Sequence, residues 1–227
     1  MNHALLDNPI WSALTTTQAG FALGDAAVRR FPRDIGPFIA VAPDVALAPP
    51  HALVLVEPGE AVNFVGHVPR LGPGWQVEHD EIVLQMVHAG PLDPQPATTA
   101  IVELGAAHAE AMLALTALVY PGYFRRRTRV LGPYHGVLDG GRLAAMAGER
   151  MALSGCSEIS AVCTHPDYLG RGLAHRLVQH VAGAIRRRGL QPFLHVSARN
   201  ARAIRVYEAT SFVLRRELPL RCATRNA

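Results

Sequence analysis

Between positions 158 and 164 apolar and polar side chains alternate. Ile159, Ala161 and Cys163 fall between Glu158, Ser160, Val162 and Thr164, and a period of two predicts a strand. The alternation puts Glu158 on one face with Ser160 and Val162, and turns Cys163 to the other. Pro166 has no N–H to offer a ladder and ends the strand. From Leu173 the period changes: Leu173, Leu177, Val178, Val181 and Ile185 recur at helical spacing. Gly189 is a stop signal, and Arg186, Arg187 and Arg188 suit the negative end of the helix dipole. A second strand over 192–197 and a second helix from Asn200 complete a strand–loop–helix–strand–helix unit.

The rest of the chain is patterned more loosely. Residues 1–35 read as mostly helical, entered at Asp7-Asn8-Pro9 and ended by Pro32. Strands are expected at 37–42, 52–57, 61–68 and 81–87, separated by Pro49-Pro50, Pro58-Gly59 and Gly72-Pro73-Gly74. The stretch 90–97, Gly-Pro-Leu-Asp-Pro-Gln-Pro-Ala, has linker composition and sets a boundary between a region 1–96 and a region 97–227. Beyond it come a strand at 98–104, a helix at 106–119 and a hairpin, 134–138 with 142–151, around Asp139-Gly140-Gly141. The order from 98 onward is β-α-β-β-β-α-β-α-β, a mixed sheet with helices on both sides.

Gly170-Arg171-Gly172 joins the strand to the helix directly. Glycines let backbone amides approach a ligand, and the first N–H groups of a helix point outward with partial positive charge. That combination is an anion site suited to phosphate. Two nucleotide fingerprints fail. A dinucleotide loop needs a third glycine where His175 stands and an acid at the end of the next strand, which has none; a Walker loop needs lysine, and the chain has no lysine. Charge narrows the ligand further. Residues 1–96 carry −6 and residues 97–227 carry +10, so the half with the loop favours a polyanion. Outside 120–127 the arginines are not interleaved with aromatics, which argues against a nucleic acid.

The window Leu169-Gly170-Arg171-Gly172-Leu173-Ala174 resembles the Gln/Arg-x-x-Gly-x-Gly/Ala loop of the GNAT superfamily of acyl-CoA-dependent N-acyltransferases. His165-Pro166-Asp167-Tyr168 before it looks like the usual approach to that loop. Asn200-Ala-Arg-Ala-Ile-Arg-Val-Tyr207-Glu208 is similar to the family's Asn-x-x-Ala-Ile-x-x-Tyr-Glu helix. The likeness runs from about 97 to 220. Three positions depart from it. Leu169 replaces a polar loop residue, and His195 stands where some members carry a strand glutamate. Ser211 replaces a glycine, at about 1–2 kcal/mol if the backbone there is left-handed.

The resemblance implies an α/β fold, of the α+β mixed-sheet kind, with the GNAT fold in 97–227. It implies acetyl-CoA along Val162, Cys163 and Thr164 and over Gly170, Arg171, Gly172, Leu173, Ala174 and His175, with Asn200 bonding the pantetheine arm. Tyr207 would be the acid that protonates the leaving thiolate and Glu158 the base, with His195 or a water chain as alternatives. The region 1–96 is expected to be an α/β cover over the acceptor site, a degenerate copy of the half-fold as in the glycine N-acyltransferase-like branch. The activity implied is acetyl transfer to a primary amine, small or on a peptide, by direct transfer in a ternary complex. A CoA-binding regulatory module without turnover is the second reading.

Composition adds exclusions. At 227 residues one large domain or two small ones fit. No apolar run reaches about 18 residues, and the N-terminal residues show no secretory pattern. Three cysteines, Cys156, Cys163 and Cys222, cannot all pair, so a cytoplasmic setting is expected. Cys163 reads as a buried thiol and not an acyl carrier. His175 and His180 are five apart on one helix, not the four of a metal pair, so no metal is expected. A monomer or homodimer, with no membrane partner, completes the expectation.

Overall fold

The computed structural model describes residues 3–91 and 100–226. Helix α1 (Pro9–Thr15) and strands β1 (Leu23–Gly24), β2 (Val28–Arg30) and β3 (Ile39–Val41) open the chain, followed by β4 (Ala61–Val65) and β5 (Trp75–His88). Past residue 100 come β6 (Val102–Glu103), α2 (Ala109–Val119), β7 (Tyr134–Asp139), β8 (Arg142–Leu153) and β9 (Cys156–Thr164). Then follow α3 (Leu173–Arg187), β10 (Gln191–Ser197), α4 (Ala201–Glu208) and β11 (Phe212–Arg225). The expected β-α-β-β-β-α-β-α-β order is present from β6 onward.

Strands β1 to β3 form a small antiparallel sheet, and the other eight form one mixed sheet in the order β4-β11-β5-β10-β9-β8-β7-β6. Only β9 and β10 run parallel; the remaining pairs are antiparallel. The position of β5 matters most. It pairs with β10 through Phe193–Val87 to Ser197–Val83 and with β11 from Phe212–His88 to Arg225–Trp75. Strands from either side of the expected boundary are therefore neighbours in one sheet. Most of the stretch expected to be the linker lies outside the described residues.

Helix α3 buries its apolar stripe, Leu177, Val178, Val181 and Ile185, against Met86, Ile159 and Leu194 of the sheet. The opposite face is covered by two separate clusters. One packs α1 residues Ile10 and Leu14 on Phe38, Val83 and Phe193; the other packs α2 residues Met112 and Leu115 on Tyr134, Met146 and Cys163.

Three expectations for the N-terminal region change. The helical stretch is shorter than 1–35, because α1 ends at Thr15 and positive-φ Gly24 (112°) leads into β2, whose Arg30 is buried in a fork on Glu60 at 3.0 and 2.5 Å. The strand at 52–57 is instead a 3₁₀ turn, Pro50–Leu55, with Ala52 and Val56 buried and Val54 80% exposed, a spacing of three to four and not two. Strand β5 starts six residues before 81. Its first half, Gln76 to Asp80, is exposed, Val77 included, so no buried face marks it; pairing with β11 holds it, with Arg221 forked on Asp80 at 2.7 and 2.8 Å.

Candidate active site

Two bulges in the β8–β9 ladder decide which way the site residues face. Met146 is opposite Cys163 and Gly148 opposite Ser160, two steps on β8 against three on β9. The extra residue brings Ala161 to φ 51°. A bulge reverses the alternation beyond it. Cys163 thus turns under α2 with Met112 and Tyr134, while Val162 packs with Ile159 on the α3 side. This corrects the simple alternation, which had Val162 on the face of Glu158 and Cys163 opposite. The second bulge runs the other way: Glu149 faces Ile159 and Ala152 faces Ser157. It turns Arg150 onto Glu158, its Nε donating to Oε2 at 2.8 Å and Nη2 to Oε1 at 2.7 Å.

Strands β9 and β10 pair only from Gln191–Cys156 to Leu194–Ile159 and then part. A groove of about 370 Å³ lies at the mouth of this split, lined by Val162, Thr164, Gly170, Gly172, Ala174 and Asn200 among others. Gly170 and Gly172 have φ of 79° and 71°, and a Cβ on either would meet no atom within 4 Å. Among the described residues neither amide donates a backbone hydrogen bond. Gly172 caps the fifteen-residue α3 without a side-chain bond, and the first N–H groups of a helix have no acceptor within it. Thr164 Oγ1 is buried without a partner beside these donors. Backbone donors, a dipole end and an orphaned hydroxyl fit an extended phosphorylated ligand such as CoA.

Most residues expected on the cofactor line this groove, including Leu173 and His175. Two do not. Cys163 is 2% exposed in the α2 cluster, and burial pushes its thiol up to about 12. Arg171 is exposed, with its guanidinium 4.7 Å over the Tyr168 ring. Asn200 accepts from Ala203 N at 3.0 Å, so it caps α4 while lining the groove.

A second cavity, about 300 Å³, continues from the groove and shares Val119, Val162, Asn200, Ala203 and Tyr207 with it. Tyr207 is 7% exposed, and burial pushes its phenol above the ordinary tyrosine range. Polar groups here come from separate elements. Glu81 on β5 accepts from Ser197 Oγ on β10 at 3.0 Å, and Tyr120 and Tyr123 stack at 4.6 Å and 7°. Arg150 reaches in beside them, its guanidinium 4.4 Å over the Phe38 ring. Residues before position 96 line this cavity (Phe38, Val65, Glu81, Val83) but not the groove.

Glu158, expected as the base, lines neither space. Its side chain is 1% exposed. Besides Arg150 it accepts from Met151 N at 3.3 Å and pairs with His195 Nδ1 at 2.7 Å. Burial by itself would raise its pKa, but Arg150 first and His195 second outweigh that and hold it at about 2. His195 does line the cavity. Its Nε2 lies 3.0 Å from Gln85 Nε2, while Arg215 Nη1 donates to Gln85 Oε1 at 2.7 Å. The amide orientation so set makes Nε2 the acceptor and Nδ1–H the donor to Glu158. Glu81, Arg150 and Ser197 were not singled out from the sequence. Glu81 is merely the first residue of an expected strand, and Arg150 the penultimate residue of another.

The model of the FR47-like protein family matches residues 134–218. Among curated proteins none matches the chain. A solved structure from Novosphingobium aromaticivorans, assigned to the GNAT family of acetyltransferases, is 36% identical, with a TM-score of 0.89 over 98% of this chain and 99% of that one. The chain belongs to the GNAT family. A GCN5-related N-acetyltransferase from Kribbella flavida shares the fold at 13% identity, with a TM-score of 0.64 over 100% of this chain and 96% of that one. So does a GNAT-family acetyltransferase from Colwellia psychrerythraea, at 11% identity and 0.54 over 94% and 96%. Among the described residues no helix is long and apolar enough to cross a membrane.

Proposed function

We propose that the protein is an acetyl-CoA-dependent N-acetyltransferase that acts on a primary amine by direct transfer in a ternary complex. The observation that carries this is the meeting of two spaces at one phenol: the anion groove and the polar cavity share Tyr207. A binder without turnover needs the first space and not the second. Bound acetyl-CoA would supply an activated acetyl thioester. The free amides around Gly170 and Gly172 and the N-terminus of α3 hold the pyrophosphate, and Val162, Thr164 and Asn200 guide the arm inward.

Tyr207 remains protonated at neutral pH and donates its proton to the departing sulfur. The proton lost by the amine passes to Glu81, the carboxylate that faces the cavity, with Ser197 fixing its orientation. Glu158 serves as a positioning residue that holds Arg150 and His195 in place. Cys163, buried off the groove and kept as a thiol, takes no acyl group. The likeness to the glycine N-acyltransferase-like branch stays a reading of the N-terminal strands alone. Initial rates with acetyl-CoA and amine both varied should give intersecting lines, and acid quench should leave no acetyl group on the protein. Parallel lines with acetyl on Cys163 would overturn direct transfer.

A further inference from the structure

The cavity carries opposite charges on different walls. Arg150 has five N–H donors; Glu158 takes Nε and one on Nη2, which leaves three, two of them on Nη1. Arg150 lines the cavity, a space that loses its water when an acceptor fills it. A substrate without an oxygen there would leave those donors unpaired, which costs free energy. Glu81, the carboxylate of the lining, answers from β5 and suits an ammonium group. Phe38, Val65, Val83 and Leu220, each at most 5% exposed, supply an apolar floor between the charges.

We propose that the acceptor is an α-amino acid with an apolar side chain, its amine directed to Glu81, its carboxylate to the free donors of Arg150 and its side chain to the Phe38–Leu220 floor. This rests on the N-acetyltransferase reading above and deepens it. A carboxylate is chosen over a neutral carbonyl because its two oxygens can take the open end of the guanidinium bidentately, which a single carbonyl oxygen cannot.

The test is a matched acceptor series with the full chain: L-leucine, L-leucinamide, 3-methylbutylamine and L-aspartate, followed by thiol release from acetyl-CoA. Calorimetry of acetyl-CoA alone runs beside it. L-Leucine should exceed 3-methylbutylamine and L-aspartate at least 100-fold in kcat/KM, and L-leucinamide at least tenfold. Arg150→Lys, which keeps a cation on Glu158 but removes the free fork, should raise KM for L-leucine at least tenfold and shrink the ratio of kcat/KM between L-leucine and 3-methylbutylamine; an unchanged ratio overturns the carboxylate assignment. Equal rates for L-leucine and either L-leucinamide or 3-methylbutylamine overturn the carboxylate assignment while the acetyltransferase reading stands. Preference for L-aspartate overturns the apolar floor. Acetyl-CoA that binds without turnover of any of the four overturns the inference alone; acetyl-CoA that fails to bind overturns both.

Discussion

The groove and the cavity meet at Tyr207 but are built on different principles. The groove presents backbone: two left-handed glycines, a helix end and a short run of strand, nearly all within 162–207. Its chemistry is generic to anions and tolerates Leu169, 45% exposed, where the family usually has a polar side chain. The cavity presents side chains from β5, β8 and β10 and the loop after α2, and its charges are single and specific. In the proposed reading the loop backbone holds the nucleotide, while acceptor choice would depend on residues that only the sheet brings together.

The strongest break of this division is to remove the N-terminal strands. A chain started at 97 lacks β5, which sits between β10 and β11, and β4. It should show no cooperative thermal transition by circular dichroism. A folded fragment that binds acetyl-CoA would mean that the groove is independent of the cavity's framework.

At the shared residue, Tyr207→Phe should lower kcat by about 10²–10⁴-fold, the usual worth of general acid catalysis, with acetyl-CoA affinity nearly unchanged in a calorimetric titration. Retained kcat would remove the acid from Tyr207.

Beneath the cavity, Glu158→Gln should cost about 3–5 kcal/mol in urea unfolding, because it strands a buried Arg150. The wild-type carboxylate is depressed in the folded state, from 4.5 to about 2. Its stabilisation is therefore complete above about pH 4.5 and lost as pH falls through about 2. The variant should lack that part of the acid dependence; equal acid slopes in the two proteins would show that the ion pair is not the source.

On the groove side, Gly172→Val puts a β-branched side chain at φ 71° and into open space. Acetyl-CoA affinity should fall at least tenfold, with a stability loss of about 1–2 kcal/mol. The smallest effect is expected at Ser211, whose φ of 64° shows that the non-glycine residue does sit in the left-handed region. Ser211→Gly should gain at most about 1 kcal/mol by thermal melting, offset by lost packing of its Oγ against Gly90.

The groove was legible because everything it needs is local. The change of period at Leu173, the glycine pair and Asn200 with Tyr207 two turns later are all spacing facts. Helix α3, the β7–β8 hairpin and the sequence of elements from β6 onward follow from the same kind of pattern. Legibility stopped where one residue of register mattered. The bulge at Ala161 exchanges the faces of Val162 and Cys163, and the run Ala161-Val162-Cys163, apolar at every position, does not say which of the three faces which way. Nor does burial mark 76–80, an exposed run held by backbone bonds to a partner more than 140 positions away.

By itself, then, the sequence determined that a strand leads through an anion loop into a helix and that a phenol lies two turns beyond Asn200, because short-range periodicity and glycine placement decide those. Tertiary structure alone decided that Glu158 is locked behind Arg150 and His195 and that Glu81 faces the cavity. The reason is that burial and charge pairing are set by sheet neighbours: β5 lies next to β10, a bulge aims Arg150 inward, and residues 81, 150 and 197 line one cavity only once those strands are in register.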